Sequence, residues 1–392
     1  MKRVVTSEAL PLYLWVDDLE DEAMEQAKNL ANLPFAFHHI ALMADAHVGY
    51  GMPIGGVLAT EHAVIPNGVG VDIGCGMRAV RTGLQELSLE QLKTIHHQLK
   101  RVVPLGFKHH RKPRALDLMP ELVDTDSATE LPVVSDEFER ARWQLGTLGG
   151  GNHFMEIQQG SDGFIWLMVH SGSRNLGYQV AKFYNKLAAR LAEQKGTRLI
   201  PAKWQLDFLL LDSAEGQRYL REMTYCTEFA QANRREMMRV MQEVVVGVSG
   251  CDSFDQAIDV AHNYAAMERH FGREVCVHRK GATRAAADEY GIIPGSQGTS
   301  SFIVRGLGNP DSFSSCSHGA GRVMGRKAAQ RQLDLAEELR KLEKRNIVHG
   351  MRRRTDLDEA PGAYKDIGQV MVNQQDLVTI EVELQPLAVV KG

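Results

Sequence analysis

Apolar positions recur along this chain in two rhythms, one helical and one alternating. Between Asp18 and Leu33, the residues Leu19, Ala23, Ala27 and Leu30 fall at helical spacing, and the acidic group from Asp17 to Glu22 suits a helix N-terminus. His39 to Met43 reads as a strand that runs into a polar, glycine-punctuated turn from Asp45 to Gly51. In Gly68 to Met77, alternating Val69, Val71 and Ile73 predict a short buried strand entering a tight turn. A Leu/Gln-rich helix is expected near Leu87 to Leu99, and a strand from Phe164 to Val169 that ends at His170. Helical pattern fills most of Tyr178 to Val246. Strands at Glu274 to Arg279 and Phe302 to Val304, a long charged helix from Val323 to Arg345 and a β-rich segment from Leu377 to Leu384 complete the reading.

The 392 residues allow one large α/β domain with insertions or two smaller domains, with ample material for a core. Residues 82–145 look like a peripheral helical insertion. They carry a basic run from Lys100 to Arg114, usually a solvated surface but able to meet phosphates, and then an acidic segment around Glu121 to Glu139. With 44% hydrophobic and 24% charged residues the composition is that of a soluble globular protein. No run approaches a membrane span and Met1 to Leu10 lacks a signal-peptide core, so a cytoplasmic location is expected. Five cysteines without a CxxC pair argue against a disulfide framework or zinc ribbon. A net charge of −4 means that any nucleic acid must be met by a local basic patch.

The densest chemistry lies in Gly-Val-Gly-Val-Asp-Ile-Gly-Cys-Gly-Met, residues 68–77, where Asp72 and Cys75 stand on one glycine-rich turn. A divalent metal would neutralise the acid and lower the thiol pKa together. The alternative is a structural turn with a capping Asp and a small buried Cys. His153, His170, His262 and His318 sit beside glycine, serine or asparagine in turn-like contexts and extend the donor set. If the set meets in space, it holds too many donors for one open zinc site and favours a bridged pair of metals suited to phosphoryl transfer. Asp45 and His47 are candidates for supporting or substrate contacts. Pro294 to Ser301 is a hydroxyl and glycine loop that could cradle a phosphate, and Ser315 to Arg322 would place amides, His318 and Arg322 at a helix N-terminus. A Walker P-loop, an H-E-x-x-H helix, a G-x-S-x-G elbow and a Lys-x-Asp-Gly are all missing. A covalently held nucleotide would therefore fall to histidine.

The stretches Gly70 to Met77, Gly149 to Phe154, His170 to Arg174, His262 to Tyr264, Arg279 to Ala282, Pro294 to Ser296, Ser317 to Arg322, Ala363 to Ile367 and the Val-Lys-Gly terminus together resemble the RtcB family of RNA ligases, in the family's order over nearly the whole chain. The resemblance implies a single α+β catalytic domain over residues 1–392, with central sheets around a dinuclear metal site and peripheral helices. It also implies two Mn(II) ions, GTP, and the joining of RNA 3′-phosphate or 2′,3′-cyclic phosphate ends to 5′-hydroxyl ends, with room for an activating protein partner. Cys75 would bridge the metals, and Asp72, His153, His170 and His262 would complete them. His318 would attack GTP and hold GMP. Asn152, Phe154, Glu156, Pro294, Gly295, Ser296, Ser301, Gly319, Ala320, Gly321, Tyr364 and Lys391 would hold the nucleotide, with Phe154 stacking and Glu156 accepting from the base edge. Arg140, Arg174 and Arg322 would face RNA.

Thiolate and imidazole donors by intrinsic affinity favour zinc, whereas the resemblance implies manganese. The chain departs from the family pattern at Met43 to Gly51, at Gln297 and at Asn175, which bears on the rim and on substrate choice more than on chemistry. This points to a divergent paralogue used in RNA repair, with tRNA splicing as the second role. Two other readings are a metal-dependent 2′,3′-cyclic phosphodiesterase and a non-enzymatic RNA-binding protein.

Overall fold

The computed structural model describes residues 1–122, 130–194 and 199–392. The middle of the acidic segment expected around Glu121 to Glu139 lies outside the described residues. The fold is mixed α+β, built on two large sheets. The first has the strand order β1 (Arg3–Val5), β2 (Leu12–Leu14), β3 (Ala36–Tyr50), β4 (Met52–Thr60), β12 (Arg273–Lys280) and β11 (Asn263–His270). The second runs β10 (Ile258–Ala261), β6 (Gly76–Arg81), β8 (Ile165–Ser171), β7 (Phe154–Gly160), β17 (Val378–Lys391), β15 (Ser301–Gly306) and β14 (Tyr290–Ile293). Neighbouring strands pair antiparallel except β2 with β3. Two short ribbons complete the β structure, β5 (Ala63–Val64) with β9 (Leu209–Leu210) and β13 (Ala282–Arg284) with β16 (Ser315–Ser317).

Period-two alternation decides what each face buries. In the first sheet, Leu12, Leu14, Ile40, Leu42 and Leu58 pack with Ala27 and Leu30 of helix α1 (Asp21–Ala31), which lies inside the expected span. The opposite face, with Ala41, Met43, Val57 and Ala59, packs on Cys316, Ala320 and Val370. In the second sheet, Ile165, Leu167 and Val169 of β8 face one way, while Trp166 and Met168 face the other. Being buried on both faces explains the unbroken apolar run of β8.

Helices cover the outer face of the second sheet. Helix α3 (Leu89–Val102) is started by a capping box in which Ser88 and Gln91 satisfy each other's backbone amides. Helix α6 (Ala214–Ser249) begins at an Ser213 cap and ends at Gly250, whose φ of 75° suits the left-handed C-terminal position. Its methionines Met237, Met238 and Met241 pack as core, as their spacing implies. Helix α4 (Pro132–Gln144) and helix α5 (Arg174–Gln194) pack beside α6, and the Glu222 carboxylate accepts from the Val134 amide at 2.7 Å.

Three expectations change. The chain at Val69 to Ile73 is not a strand: the short helix α2 (Pro66–Val69) ends at Gly70, Val71 is exposed, and β6 starts only at Gly76. Pro66 at the helix start, together with the glycines that follow, overrides the alternation. In the polar stretch from Asp45 to Gly51 only Gly51 turns; Asp45 to Tyr50 form the bulged second half of β3, with register shifts around His47. The charged helix expected from Val323 is two helices, α7 (Arg326–Gln332) and α8 (Leu335–Lys344), separated where Asp334 caps the second, so no helix N-terminus opens behind His318. Among the described residues no helix is long and apolar enough to cross a membrane.

Two consecutive α6 side chains pin the second sheet's strand ends. Asn233 accepts from the amides of Gly146 and Thr147 and donates to Gly172 O, while Arg234 donates to Gly74 O at 2.9 Å, Ser171 O at 3.1 Å and Asp259 at 2.6 Å. Arg234 is fully buried, so Arg234→Leu leaves the Asp259 carboxylate without its main partner and both carbonyls unsatisfied. Urea denaturation is expected to read a loss of about 3–5 kcal/mol. Asp259→Asn, which keeps an acceptor, should cost less.

Candidate metal centre and anion cavity

The register of the second sheet assembles one end of the site. Met77 pairs with His170, His170 with Phe154 and Phe154 with Lys391, so a single row crosses β6, β8, β7 and β17. Glu156 shares the face of Phe154, two residues on. His262 is the single residue between β10 and β11, at the point where the chain leaves one sheet for the other. Its amide donates to Cys75 O at 2.8 Å. His318 follows β16, and Asp45 reaches it from β3 of the first sheet. The centre therefore lies on the seam of the two sheets.

Five donor side chains meet there. Cys75 Sγ is 3.5 Å from His153 Nε2 and 3.3 Å from His170 Nε2, which is 3.4 Å from His262 Nε2. Asp72 Oδ2 is 2.9 Å from His153 Nε2. Backbone carbonyls set the tautomers, because His153 Nδ1 donates to Leu148 O at 2.9 Å and His170 Nδ1 to Asn152 O at 3.1 Å. Nε2 of both rings is then turned into the centre, that of His170 with its lone pair inward and that of His153 against the Asp72 carboxylate, to which a protonated ring donates. Ligand atoms 2.0–2.3 Å from one ion stand about 3–4 Å from one another, which is the spacing seen. Asp72 fits tightly against Gly172, where an added Cβ would strike the carboxylate.

Charge gives the second test of fit. Burial and the nearby Asp72 carboxylate push the Cys75 thiol far above its ordinary range. Burial, with His153 and His318 close by, pushes the His170 imidazole well down, and burial does the same to His262. Burial raises Asp72, but the hydrogen bond and charge of His153 outweigh it and hold the carboxyl at about 2. The His170 and His262 lone pairs, the Cys75 sulfur and the Asp72 carboxylate crowd into one buried space, where a divalent cation would attract all of them and take the place of the proton between His153 and Asp72. The ligand atoms of Cys75, His153 and His170 lie within 4.8 Å of one another, close enough to hold one metal ion.

Beside the centre opens a cavity lined by Asn152, Phe154, Glu156, His170, Pro294, Gly295, Ser296, His318, Gly319, Ala320, Gly321, Arg322, Tyr364 and Lys391. Of the nucleotide set expected from sequence, Ser301 alone is absent from the lining. It sits beneath, its Oγ accepting from Gly295 N at 3.2 Å and from Gln158 Nε2 at 3.1 Å. The Pro294 to Ser301 loop is less of an open cradle than its composition suggests, since the Gly295, Ser296 and Gly298 amides are satisfied by Ser301, Thr299 and Ser296 hydroxyls. Burial pushes the Glu156 carboxyl up to about 8, against the pull of Lys391 and a Gln158 hydrogen bond.

His318 is held by a fully buried carboxylate. Asp45 Oδ2 accepts from His318 Nδ1 at 2.7 Å and from the amides of His318 at 3.1 Å and Gly319 at 3.2 Å. Burial raises the Asp45 carboxyl, but the charge and hydrogen bond of His318 bring it below its ordinary value. Gly321, at φ 71°, lets the loop close on β3: a side chain there would collide with the Asp45 carbonyl.

The three arginines expected to face RNA separate. Arg174 stands against the centre, its guanidinium 3.5 Å from His153 Nδ1 and donating to Thr147 Oγ1 at 3.3 Å and Gly106 O at 3.4 Å. Arg322 lines the cavity and pairs with Glu359 at 3.1 Å. Arg140 is exposed on α4, paired with Glu137, and does not line the cavity. Sequence reading passed over Glu359, which also binds Arg326, Lys391 and the Tyr364 hydroxyl. Nothing in its neighbourhood of acidic residues marks it, because its cationic partners come from two distant stretches, Arg322 with Arg326 and Lys391.

A donor centre fit for a metal beside a cavity lined by Arg322, Arg326 and Lys391 is the arrangement that handling an anion next to a metal ion requires. The family model for the tRNA-splicing ligase RtcB matches residues 26–392. An RNA-splicing ligase RtcB1 of Escherichia coli strain ATCC 25922 is 39% identical, and an RNA-splicing ligase RtcB of Escherichia coli K12 is 38% identical, each alignment spanning 99% of both chains. A tRNA-splicing ligase RtcB of Thermococcus kodakarensis is 33% identical over 95% of this chain and 92% of its own. The chain belongs to the RtcB family.

Replacing Cys75 by Ala removes the sulfur that lies within 3.5 Å of two of the imidazoles. Divalent-ion affinity, measured by equilibrium dialysis and atomic emission, is expected to fall by more than the roughly 10–100-fold that loss of an outer partner costs. Unchanged metal content in the folded variant would contradict the centre.

Proposed function

We propose that the chain is a GTP-dependent RNA ligase that joins 3′-phosphate or 2′,3′-cyclic phosphate ends to 5′-hydroxyl ends through a nucleotide held on His318. The pairing of His318 Nδ1 with buried Asp45, at the edge of a donor centre and a cavity, is the observation that carries this reading. Asp45 keeps the proton on Nδ1 and so leaves the Nε2 lone pair free as a nucleophile. His318 Nε2 attacks the α-phosphorus of GTP: the N–P bond forms, the bond to pyrophosphate breaks, and GMP is held as a phosphoramidate. A 3′-phosphate oxygen of the RNA then displaces the histidine. Finally, the 5′-hydroxyl oxygen attacks the activated 3′-phosphorus, its proton leaves, and GMP departs. A cyclic end would first be opened by water to the 3′-phosphate.

Asp72, Cys75, His153, His170 and His262 would hold two Mn(II) ions, with Cys75 shared, and the ions would supply Lewis-acid polarisation of phosphoryl oxygens. Zinc is the intrinsic preference of such donors. Full activity with Zn(II) and none with Mn(II) would therefore overturn the manganese assignment. Phe154 would stack on guanine and Glu156 accept its N–H edge, with Lys391 and Tyr364 alongside. Arg174 and Arg322 would meet RNA phosphates, and Arg140 a more distant one. RNA repair in the cytoplasm is the role favoured by the departures near Tyr50, a residue exposed at the end of β3. A ligation screen in which spliced tRNA halves outcompete nicked stem-loops would reverse that preference. An activating protein would show itself as a lysate component needed for turnover.

Incubation with Mn(II) and GTP labelled at the α-phosphate tests the covalent step. Wild type is expected to retain an acid-labile label in denaturing electrophoresis, and His318→Ala none. Asp45→Asn should label slower by on the order of 10²–10⁴-fold. Label on His318→Ala equal to wild type would overturn the proposal.

Glu156 gives a pH test. Guanine N–H groups need the ionised carboxylate, so GTP affinity is expected to rise as pH climbs toward about 8. Glu156→Gln should bind more weakly by about 1.5–3 kcal/mol at high pH and lose this dependence. Stability of the free chain runs the other way: the raised carboxyl stabilises the fold fully below its ordinary 4.5, and that contribution is lost as pH rises through about 8.

A further inference from the structure

The basic run read from the sequence folds as a loop that is tied to the metal centre. Leu105 bridges to Gly149 in parallel register, and Gly106 N donates to Gly149 O at 2.8 Å. Gly149 opens the stretch that carries Asn152 and His153. Gly106 O in turn accepts from Arg174, whose guanidinium touches His153. The far limb is fastened to α4, with His110 N donating to Trp143 O at 3.1 Å and Arg114 N to Arg142 O at 2.9 Å. The loop is therefore anchored at both ends, and two contacts separate its tip from the donor centre.

Its tip has an unusual surface. The chain turns at Gly106, φ 63°, where Lys108 N reaches Leu105 O at 3.2 Å. Phe107 at this turn is fully exposed. Lys108, Arg111 and Lys112 beside it are exposed as well, and none has an acidic partner among the described residues. From Lys100 to Leu116 the sequence contains no Asp or Glu. A lone exposed aromatic is ordinary on a protein surface. An aromatic at the tip of an anchored loop, ringed by exposed cations and adjoining a phosphoryl-transfer centre, matches what single-stranded nucleic acid requires: a flat face for a base and charges for its backbone.

We infer that the loop from Leu105 to Lys112 is a single-stranded RNA platform, on which Phe107 stacks an unpaired base near the reacting end while Lys108, Arg111 and Lys112 hold the adjoining phosphates. The inference rests on the ligase reading for its choice of RNA. It assigns the loop to unpaired ends, because a base inside a duplex has no free face to offer.

The test uses the full chain with Mn(II) and a short single-stranded RNA that ends in a 3′-phosphate, with 2-aminopurine next to that end. Wild type and Phe107→Trp are expected to bind alike and to change the 2-aminopurine emission on binding. Phe107→Ala should bind on the order of tenfold more weakly and leave the emission near that of free RNA. Replacing Lys108, Arg111 and Lys112 together by Ala should lower the salt slope of log affinity by roughly 2. Histidine labelling by GTP, measured in parallel, should be unchanged in every variant. Phe107→Ala that binds and reports like wild type overturns the inference, and is the result expected of a loop that docks a protein instead. Wild type that takes no label refutes the ligase reading separately, while the RNA measurements still decide the loop.

Discussion

Everything at this site depends on donor atoms being forced together where water cannot separate them. Cys75, Asp72, His153, His170 and His262 come from four separated stretches, and each ligand atom stands 2.9–3.5 Å from the next, with Asp72 against His153 and His262 against His170. That arrangement is one in which a divalent cation would attract every donor. It persists because the scaffold fixes each donor from behind: carbonyls hold His153 and His170 by their far nitrogens, the His262 amide is bound to Cys75 O, and Arg234 clamps the strand ends on either side. His153 and His170 are thus satisfied outward and left open only inward, as a metal centre demands.

The same division of labour recurs in the cavity. Asp45 commits one nitrogen of His318 and leaves the other facing the cavity. Glu359 gathers Arg322, Arg326, Lys391 and Tyr364 around one carboxylate, which the cations hold at about 2 against the upward push of burial. Four groups that would otherwise repel or wander are fixed before any ligand arrives. Glu156 is the opposite case, a carboxyl kept near neutrality by burial until a donor edge makes ionisation worthwhile.

Much of this was legible in the sequence because glycine-rich turns marked the places where chain and chemistry meet. The donors, His318 and nearly all of the cavity lining were named from such turns and from the family resemblance, and the structure brings them together. What escaped was non-local. Asn233 and Arg234 sit mid-helix and look like ordinary surface residues until the strand ends dock on them. Glu359 lies in a short acidic stretch, and its cationic partners Arg322, Arg326 and Lys391 are remote in sequence. Local pattern also misled where backbone chemistry overrode it: Val69 to Ile73 alternates like a strand, yet Pro66 and Gly70 make it a helical turn and loop. The second half of β3 looked like a turn because bulges let a strand carry polar residues inward.

The central claim is that Asp45 reserves Nδ1 of His318 and so directs a single nitrogen at the nucleotide. Phosphorus–nitrogen correlation NMR on the ¹⁵N-histidine-labelled protein, after reaction with GTP and Mn(II), reads which nitrogen carries phosphorus. A bond at Nε2 of His318 is the predicted result. A bond at Nδ1, or at any other side chain, would contradict the account.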